Sequence, residues 1–232
     1  MAMFSTTRWS LVLATRDDTR PARDALSWLC EQYRAPVVAY VRRFGYPRQD
    51  AEDLAQAFFV KFLEARYHAD ADPTRGRFRT FLLTALKRFL ANVHDHDSAL
   101  KRGGGIAPAP LDAKLADSLA DDGARDPDDA FDRAFAAAVV EHALARLARE
   151  AREAGKSALF DALREFLLEG PEADRYGEVA DRLGMKRNTL AVTVKRLRAR
   201  LGELVRAEIA ETCADPRDVE RELRAVRDAL AA

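Results

Sequence analysis

Apolar residues recur every three or four positions through most of the chain, a spacing that predicts a protein built of helices. The clearest stripe, at spacings of four, three and four, comprises Leu190, Val194, Leu197 and Leu201. Before it, Ala180 stands where two short helices must approach closely, and Gly184 allows the positive φ that a turn of three or four residues requires. The stretch from Tyr176 to Leu201 therefore predicts two helices joined by a tight turn.

The same periodicity predicts three amphipathic helices in the first half of the chain. The first spans about residues 21 to 44 and contains Pro36, which kinks or resets it. The second, from Arg48 onwards, has acidic residues in its first turn, where they suit the positive end of the helix dipole. The third begins at Phe78, and aromatic residues at helical spacing in it predict core positions rather than base-stacking ones: Phe78, Phe81 and Phe89. We also expect Trp9 and Trp28 in the core or at its edge.

Between the helical regions the composition changes to Gly, Pro, Ala and Asp. Residues 103 to 132 contain eight Asp, with Lys114 and Arg125 as their only basic residues. Such a segment has too few apolar residues to fill a core and predicts a flexible or extended linker. We therefore predict an all-α protein with two small helical domains, residues 1–98 and 131–232, joined by an acidic linker at residues 99–130. The second domain ends in an additional amphipathic helix.

Charge is distributed unevenly along the chain although the formal net charge is zero. Residues 75 to 102 carry seven Lys or Arg and two Asp, and residues 176 to 206 carry eight Lys or Arg and three acidic residues. A helix with an apolar stripe on one side and this much positive charge on the other suits the major groove of DNA. The alternative is a solvated basic face on an ordinary bundle helix.

Several other functions have little support in the sequence. Cys30 and Cys213 form no CxxC motif, and His94 and His96 are two residues apart and do not share a helix face, so we expect no disulfide framework and no metal site. No P-loop, nucleophile elbow or glycine-rich phosphate cradle is present, so we expect no catalysis and no cofactor. No leader peptide is evident, and no apolar segment approaches about 18 residues, which predicts a cytoplasmic protein that does not enter a membrane.

Three motifs follow one another along the chain. They are DAEDLAQAFFVKFL at residues 50–63, GRFRTFLLTALKRFLAN at 76–92, and YGEVADRLGM at 176–185 followed by TLAVTVKRLR at 189–198. In this order and spacing they resemble the extracytoplasmic-function (ECF) class of bacterial sigma factors in the sigma-70 family, and the resemblance covers most of the chain. It implies a sigma region 2 in the first domain and a region 4 in the second. Together these would attach RNA polymerase to a promoter, with no catalysis by the protein itself.

The resemblance implies roles for residues of the first domain. In relatives the acidic helix docks on the basic clamp helices of the largest polymerase subunit, which implies docking by Asp50, Glu52, Asp53 and Gln56; Asp50 alternatively caps its helix. The loop and helix that follow read and help to melt the minus-10 element, a task that needs aromatic pockets and cations on the DNA backbone. The implied residues are Tyr67 and His68 for a pocket, and Arg75, Arg77, Arg79, Lys87, Arg88 and Asn92 for phosphate and duplex contacts.

In the second domain the resemblance implies a recognition helix that reads the minus-35 element. Arg pairs bidentately with guanine and Asn with adenine, so we expect base-edge contacts from Arg187, Asn188 and Arg196, with Thr189 beside them at the start of the helix. Phosphate contacts are expected from Lys186, Lys195 and Arg198. Asn188 alternatively caps the helix. In relatives the acidic linker threads channels that nascent RNA later occupies; the alternative is a mere tether.

Two alanines depart from the family pattern. Ala57 replaces a Glu of many relatives, which removes one negative charge and predicts weaker affinity for polymerase. Ala55 replaces a Thr whose phosphorylation restores negative charge in part of the family, so that switch cannot operate at this site. Control by an anti-sigma protein or by a kinase stays open. The alternative function is a free-standing helix-turn-helix regulator with an N-terminal sensing or dimerisation domain.

Overall fold

The computed structural model of the protein describes residues 7–14, 19–64, 77–102, 126–168 and 173–231. These residues form eleven helices and no strand, which confirms the predicted all-α class. The helices are α1 Arg8–Ala14, α2 Arg20–Gln32, α3 Arg34–Arg43, α4 Arg48–Glu64, α5 Phe78–Arg102, α6 Pro127–Glu153, α7 Ser157–Leu163, α8 Glu165–Leu168, α9 Ala173–Arg182, α10 Arg187–Glu211 and α11 Pro216–Ala231. Tyr67, His68, Arg75 and most of the predicted linker lie outside the described residues.

The chain divides into two compact units. The first unit contains Met1–Ala138 together with Ile209–Ala232, and the second contains Val139–Glu208. Residues 131–138 and the C-terminal helix, which the sequence predicts in the second domain, belong to the first unit in the structure. Aromatic burial explains the first difference, because Phe131 and Phe135 are almost fully buried beside Tyr33. The C-terminal helix α11 has its own buried face, formed by Val219, Glu222 and Val226.

An aromatic cluster forms the centre of the first unit. Tyr33 stacks on Phe135 with ring centroids 4.9 Å apart, and Phe78 packs edge-on against both Tyr33 and Trp9. Phe78 is fully buried, which confirms its predicted core position. Phe81 and Phe89 are half-buried on the same helix and pack against neighbouring aromatic rings rather than standing free. Rings packed in this way hold the start of α5 in a fixed position.

Pro36 resets the first long helical segment, as the sequence allowed. The helix α2 ends at Gln32, Tyr33 interrupts it with φ −98° and ψ 4°, and α3 begins at Arg34. Pro36 is therefore the third residue of α3, where a missing N–H is harmless because the first amides of a helix have no intrahelical acceptor. The break places Tyr33 in the core, fully buried.

In the second unit, residues 183–186 join α9 to α10 in a tight turn. Gly184 has φ +62°, and the amide of Met185 donates to the carbonyl of Ala180 at 2.8 Å, which is the pattern of a glycine-terminated helix. Ala180 is fully buried, so the two helices approach closely at this small residue. The predicted stripe faces the core: Leu190, Val194 and Leu201 are buried, and Leu197 is partly buried.

Candidate functional site

The acidic helix α4 separates its polar and apolar residues onto two faces. Its inward face consists of buried residues at helical spacing: Ala51, Ala55, Phe58 and Phe62. Asp50, Asp53 and Gln56 are exposed, and Glu52 is partly exposed and lies 3.1 Å from the Arg48 side chain. Since α4 begins at Arg48, Asp50 lies within the first turn rather than at the position before the helix. There its carboxylate faces the positive end of the helix dipole.

Three of the predicted docking residues, Glu52, Asp53 and Gln56, line two depressions in the surface. Asp53 and Gln56 line a shallow depression on α4 together with Ala57, Val60 and Lys61. Glu52 lines a different depression, shared with residues of α2 and α3. Val60 lines the same depression as Asp53 and is 48 % exposed, so an apolar side chain stands near the carboxylate on the protein surface. Ala57, where many relatives have Glu, is exposed in the same depression, whereas Ala55 is fully buried.

Two of the predicted DNA-contacting arginines are already paired within the first unit. Arg77 donates to Oε1 of Glu222, and Arg79 donates to the same oxygen at 3.2 Å and to Oδ1 of Asp132 at 2.7 Å. We call Arg77, Arg79, Asp132 and Glu222 the Glu222 cluster. The Glu222 side chain is only 1 % exposed and that of Arg79 only 12 %. The cluster is therefore a set of two cations and two anions around a buried carboxylate, with Arg77 and Asp132 at its edge, 23 % and 38 % exposed.

Arg79, the more deeply buried arginine of the Glu222 cluster, keeps its positive charge. Burial lowers the pKa of Arg79, but the carboxylates of Glu222 and Asp132 outweigh this and raise it above the ordinary value for arginine. Burial also raises the pKa of Asp132, which Arg79 partly offsets by pairing with it. The Arg79 guanidinium also lies 5.8 Å from the centre of the Phe135 ring. Each cation therefore has its counter-charge inside the protein.

The other α5 residues predicted to contact DNA differ in exposure and in whether they are already paired. Lys87 donates to Oδ2 of Asp128 at 2.7 Å, across a contact in which both side chains are partly exposed. Arg88 and Asn92 are exposed and lie one turn apart on the same face of α5. Tyr67 and Arg75 lie outside the described residues. Of the predicted minus-10 residues that the structure describes, Arg88 and Asn92 are thus the ones most open to a partner.

The start of α10 presents the predicted recognition residues to solvent. Six of the seven are exposed: Lys186, Arg187, Asn188, Thr189, Lys195 and Arg196. Because α10 begins at Arg187, Asn188 is its second residue and does not occupy the cap position. Arg187 lies over Gly177 of α9, where an added Cβ would come within 2.5 Å of its guanidinium. Its side chain can move away, so this contact orients Arg187 only weakly.

Arg198, the seventh predicted residue, has a different environment from the other six. It is half-buried and donates from Nε and Nη2 to the carbonyl oxygen of Phe166, at 2.8 and 2.6 Å. That carbonyl lies in the four-residue helix α8, whose carbonyl groups find few partners in so short a helix. In this structure Arg198 therefore joins α10 to α8.

Sequence reasoning missed Glu222 and Asp132, the two carboxylates of the Glu222 cluster. A signal was present for Glu222, which stands three residues after Val219 and four before Val226 and so interrupts an apolar stripe. A carboxylate on a buried helix face needs a cationic partner, because an unpaired buried charge is very costly. The pattern did not identify that partner, which lies more than 140 residues earlier in the chain.

Among the described residues, no group of three or more His, Cys, Asp or Glu side chains is arranged to hold a metal ion. None of the helices in this part of the chain is long and apolar enough to cross a membrane.

Comparison with known proteins bears on the first unit. Residues 29–94 match the family model of sigma-70 region 2, a stretch that begins in α2 and ends within α5. Over this stretch the chain is similar to sigma-70 region 2. This match supports a sigma factor of the sigma-70 family, and region 2 implies interaction with core RNA polymerase and promoter DNA. No curated protein and no solved structure matches the chain.

Proposed function

We propose that the protein is a cytoplasmic sigma factor of the ECF type, which binds core RNA polymerase and directs it to promoters. The observation that carries the proposal is the region 2 match over residues 29–94, within which α4 presents an exposed acidic face. In this proposal Asp53 and Gln56 form the centre of the docking surface, with Asp50 and Glu52 at its edges. Negative charge there complements the basic clamp helices of the largest polymerase subunit.

The second unit serves in this proposal as sigma region 4. Its support is the glycine-terminated turn at Gly184, followed by a helix whose first residues are basic, polar and exposed. Residues at the start of such a helix contact base edges in the major groove, while flanking cations contact phosphates. Arg187, Asn188 and Arg196 would read the minus-35 element, and Arg88 and Asn92 of α5 would contact DNA near the minus-10 element.

Reconstituted transcription tests the proposal directly. Core bacterial RNA polymerase is mixed with the protein and a pool of genomic promoters, and run-off transcripts are sequenced to identify enriched motifs. The expected result is co-elution of the protein with core polymerase and transcripts that share two promoter elements. A protein that ignores polymerase and shifts duplex DNA alone would instead be a free-standing regulator, and the proposal would fail.

Charge reversal at Asp53 tests the docking surface within that system. Asp53→Arg should abolish polymerase binding without unfolding the chain, because the side chain is exposed and only the partner surface opposes the new charge. Asp24→Arg is the matched control, since Asp24 is also exposed in the first unit but lies on α2. Normal holoenzyme formation by Asp53→Arg would show that the docking assignment is wrong.

A further inference from the structure

The C-terminal helix α11 and the segment that leads into it both contact the start of α5. The amide of Phe78 donates to the carbonyl of Thr212 at 3.0 Å, and Arg77 forms an isolated antiparallel bridge with Cys213. Thr7 donates from Oγ1 to the carbonyl of Cys213 at 2.7 Å. The segment that leads into α11 is thus anchored by backbone hydrogen bonds. The helix itself adds Glu222, whose carboxylate holds both arginines.

Apart from Glu222, α11 has few buried side chains. Its buried apolar residues are Val219 and Val226, with Leu223, Ala225 and Ala229 partly buried, and its outer face carries exposed charged residues. Oε2 of Glu222 lies 3.2 Å from Nε of Arg79 but accepts no hydrogen bond from the described residues. A buried ion-paired carboxylate is a costly way to seal a core, since an apolar residue of similar size is often as stable or more stable. This choice of residue favours a role beyond packing.

A carboxylate and a phosphate are interchangeable partners for a guanidinium group. Both accept paired hydrogen bonds from the planar arginine side chain. Glu222 therefore occupies, on Arg77 and Arg79, the position that a DNA phosphate would occupy if these arginines contacted the promoter. A helix with two buried valines is also a small body to displace in comparison with a complete domain.

We propose that α11 is a latch that withholds Arg77 and Arg79 from DNA in the free protein. The latch opens when DNA phosphates replace the Glu222 carboxylate, and α11 then swings away about the bend at Ala214 and Asp215. The inference rests on the proposed function only in taking the start of α5 as a DNA-facing surface. It assigns to the C-terminal helix a regulatory role in the first unit, not in the second.

The test measures binding of the full-length protein to a fluorescein-labelled single-stranded DNA of mixed sequence at low ionic strength. Glu222→Gln keeps the size of the side chain but removes its charge, and Asp228→Asn, at an exposed position of the same helix, is the matched control. We expect Glu222→Gln to bind about tenfold more tightly for each arginine released, because a hydrogen bond to a charged group is worth about one decade in affinity. Asp228→Asn should bind like the wild type.

Two readouts separate a latch from a merely structural contact. The slope of log affinity against log salt should become steeper by about 0.7 for each added phosphate contact on single-stranded DNA. In addition, the triple variant with Arg77→Ala, Arg79→Ala and Glu222→Gln should lose the gain. A folded Glu222→Gln that binds DNA no better than Asp228→Asn, or a gain that survives in the triple variant, would overturn the proposal.

Hydrogen exchange on the wild-type protein covers the case in which Glu222→Gln does not fold. Saturating oligonucleotide should leave the Phe78 amide protected, because its acceptor Thr212 lies before the bend, and should reduce the protection of residues 216–231. Unchanged or increased protection of those residues would overturn the latch. Neither experiment contains polymerase, so a protein that opens its latch on DNA but never forms holoenzyme would contradict the proposed function alone.

Discussion

The basic residues at the start of α5 and those at the start of α10 have the same chemistry but different surroundings. Arg77 and Arg79 are paired with Glu222, which is nearly buried, and Arg79 also with Asp132. Lys186, Arg187 and Arg196 stand in solvent. Positive charge in a sequence therefore does not measure positive charge on a surface. The first set is neutralised inside the protein, and the second is available to a polyanion without any rearrangement.

Removing Glu222 should produce the largest effect on stability. Glu222→Ala leaves Arg77 and Arg79 in a poorly solvated site with only Asp132 as counter-charge, and breaking a buried pair in this way costs about 3–5 kcal/mol of unfolding free energy. Chemical denaturation followed by circular dichroism measures the loss. Asp228→Ala, on the exposed face of the same helix, should change stability by no more than about 0.5 kcal/mol. Equal effects of the two variants would show that the Glu222 cluster is not a buried network.

Sequence periodicity predicted most of the fold because burial repeats at helical spacing. The aromatic stripe of α5, the reset at Pro36 and the turn at Gly184 all follow from local rules on packing and φ angles. The position of α11 does not follow from such rules. Its partners lie more than 140 residues earlier in the chain, and its amphipathic pattern would suit any apolar surface. Pairing across that separation depends on the tertiary fold, which periodicity does not encode.

The candidate site was predictable to a similar extent. Asp53, Gln56 and Arg196 are exposed, as side chains that contact a partner need to be. Local rules gave no means to distinguish Arg198 from Arg196, since both lie in one basic helix two residues apart. The carbonyl of Phe166, brought near by the packing of α8, gives Arg198 a partner inside the protein. Basic residues that bind inside a protein and those that bind outside it look alike in sequence.

Arg198→Ala should have the second largest effect on stability. The substitution removes two charge-assisted hydrogen bonds to the Phe166 carbonyl and leaves that oxygen without these donors, at a cost of about 1.5–3 kcal/mol. Chemical denaturation measures the change, and Arg149→Ala, at an exposed position of α6, is the control. Wild-type stability in Arg198→Ala combined with reduced promoter binding would restore its predicted role as a phosphate contact.

Arg196→Ala should leave folding intact and weaken promoter use. Its side chain is exposed, and loss of one base-edge contact costs about 1–3 kcal/mol in binding to the matched sequence. Quantitative run-off transcription at several promoter concentrations gives the change, while co-elution with core polymerase should be unaffected. Uniform weakening across all promoter sequences would instead show that Arg196 contacts phosphates.

Substitution of Arg200 should have the smallest effect on stability. Arg200 pairs with two carboxylates, as Arg79 does, but at an exposed position. Its guanidinium donates to both carboxylate oxygens of Glu150, at 2.9 and 2.8 Å, and to Glu203, but all three side chains are substantially exposed. Water and salt screen such a pair, so Arg200→Gln should lower the midpoint of thermal unfolding only slightly. The decrease should shrink further at high salt, whereas the loss caused by Glu222→Ala should persist because the Glu222 carboxylate is only 1 % exposed.

Acid provides a second way to separate the exposed pair from the buried cluster. The hydrogen bond from Arg200 lowers the pKa of Glu150, so the pair stabilises the folded state above the ordinary pKa of glutamate, and this stabilisation is lost as the pH falls through the lowered value. Wild type and Arg200→Gln should therefore differ slightly in midpoint near neutral pH and converge in acid. A difference that stays constant in acid would mean that Arg200 acts by packing its side chain against α6 rather than by its charge.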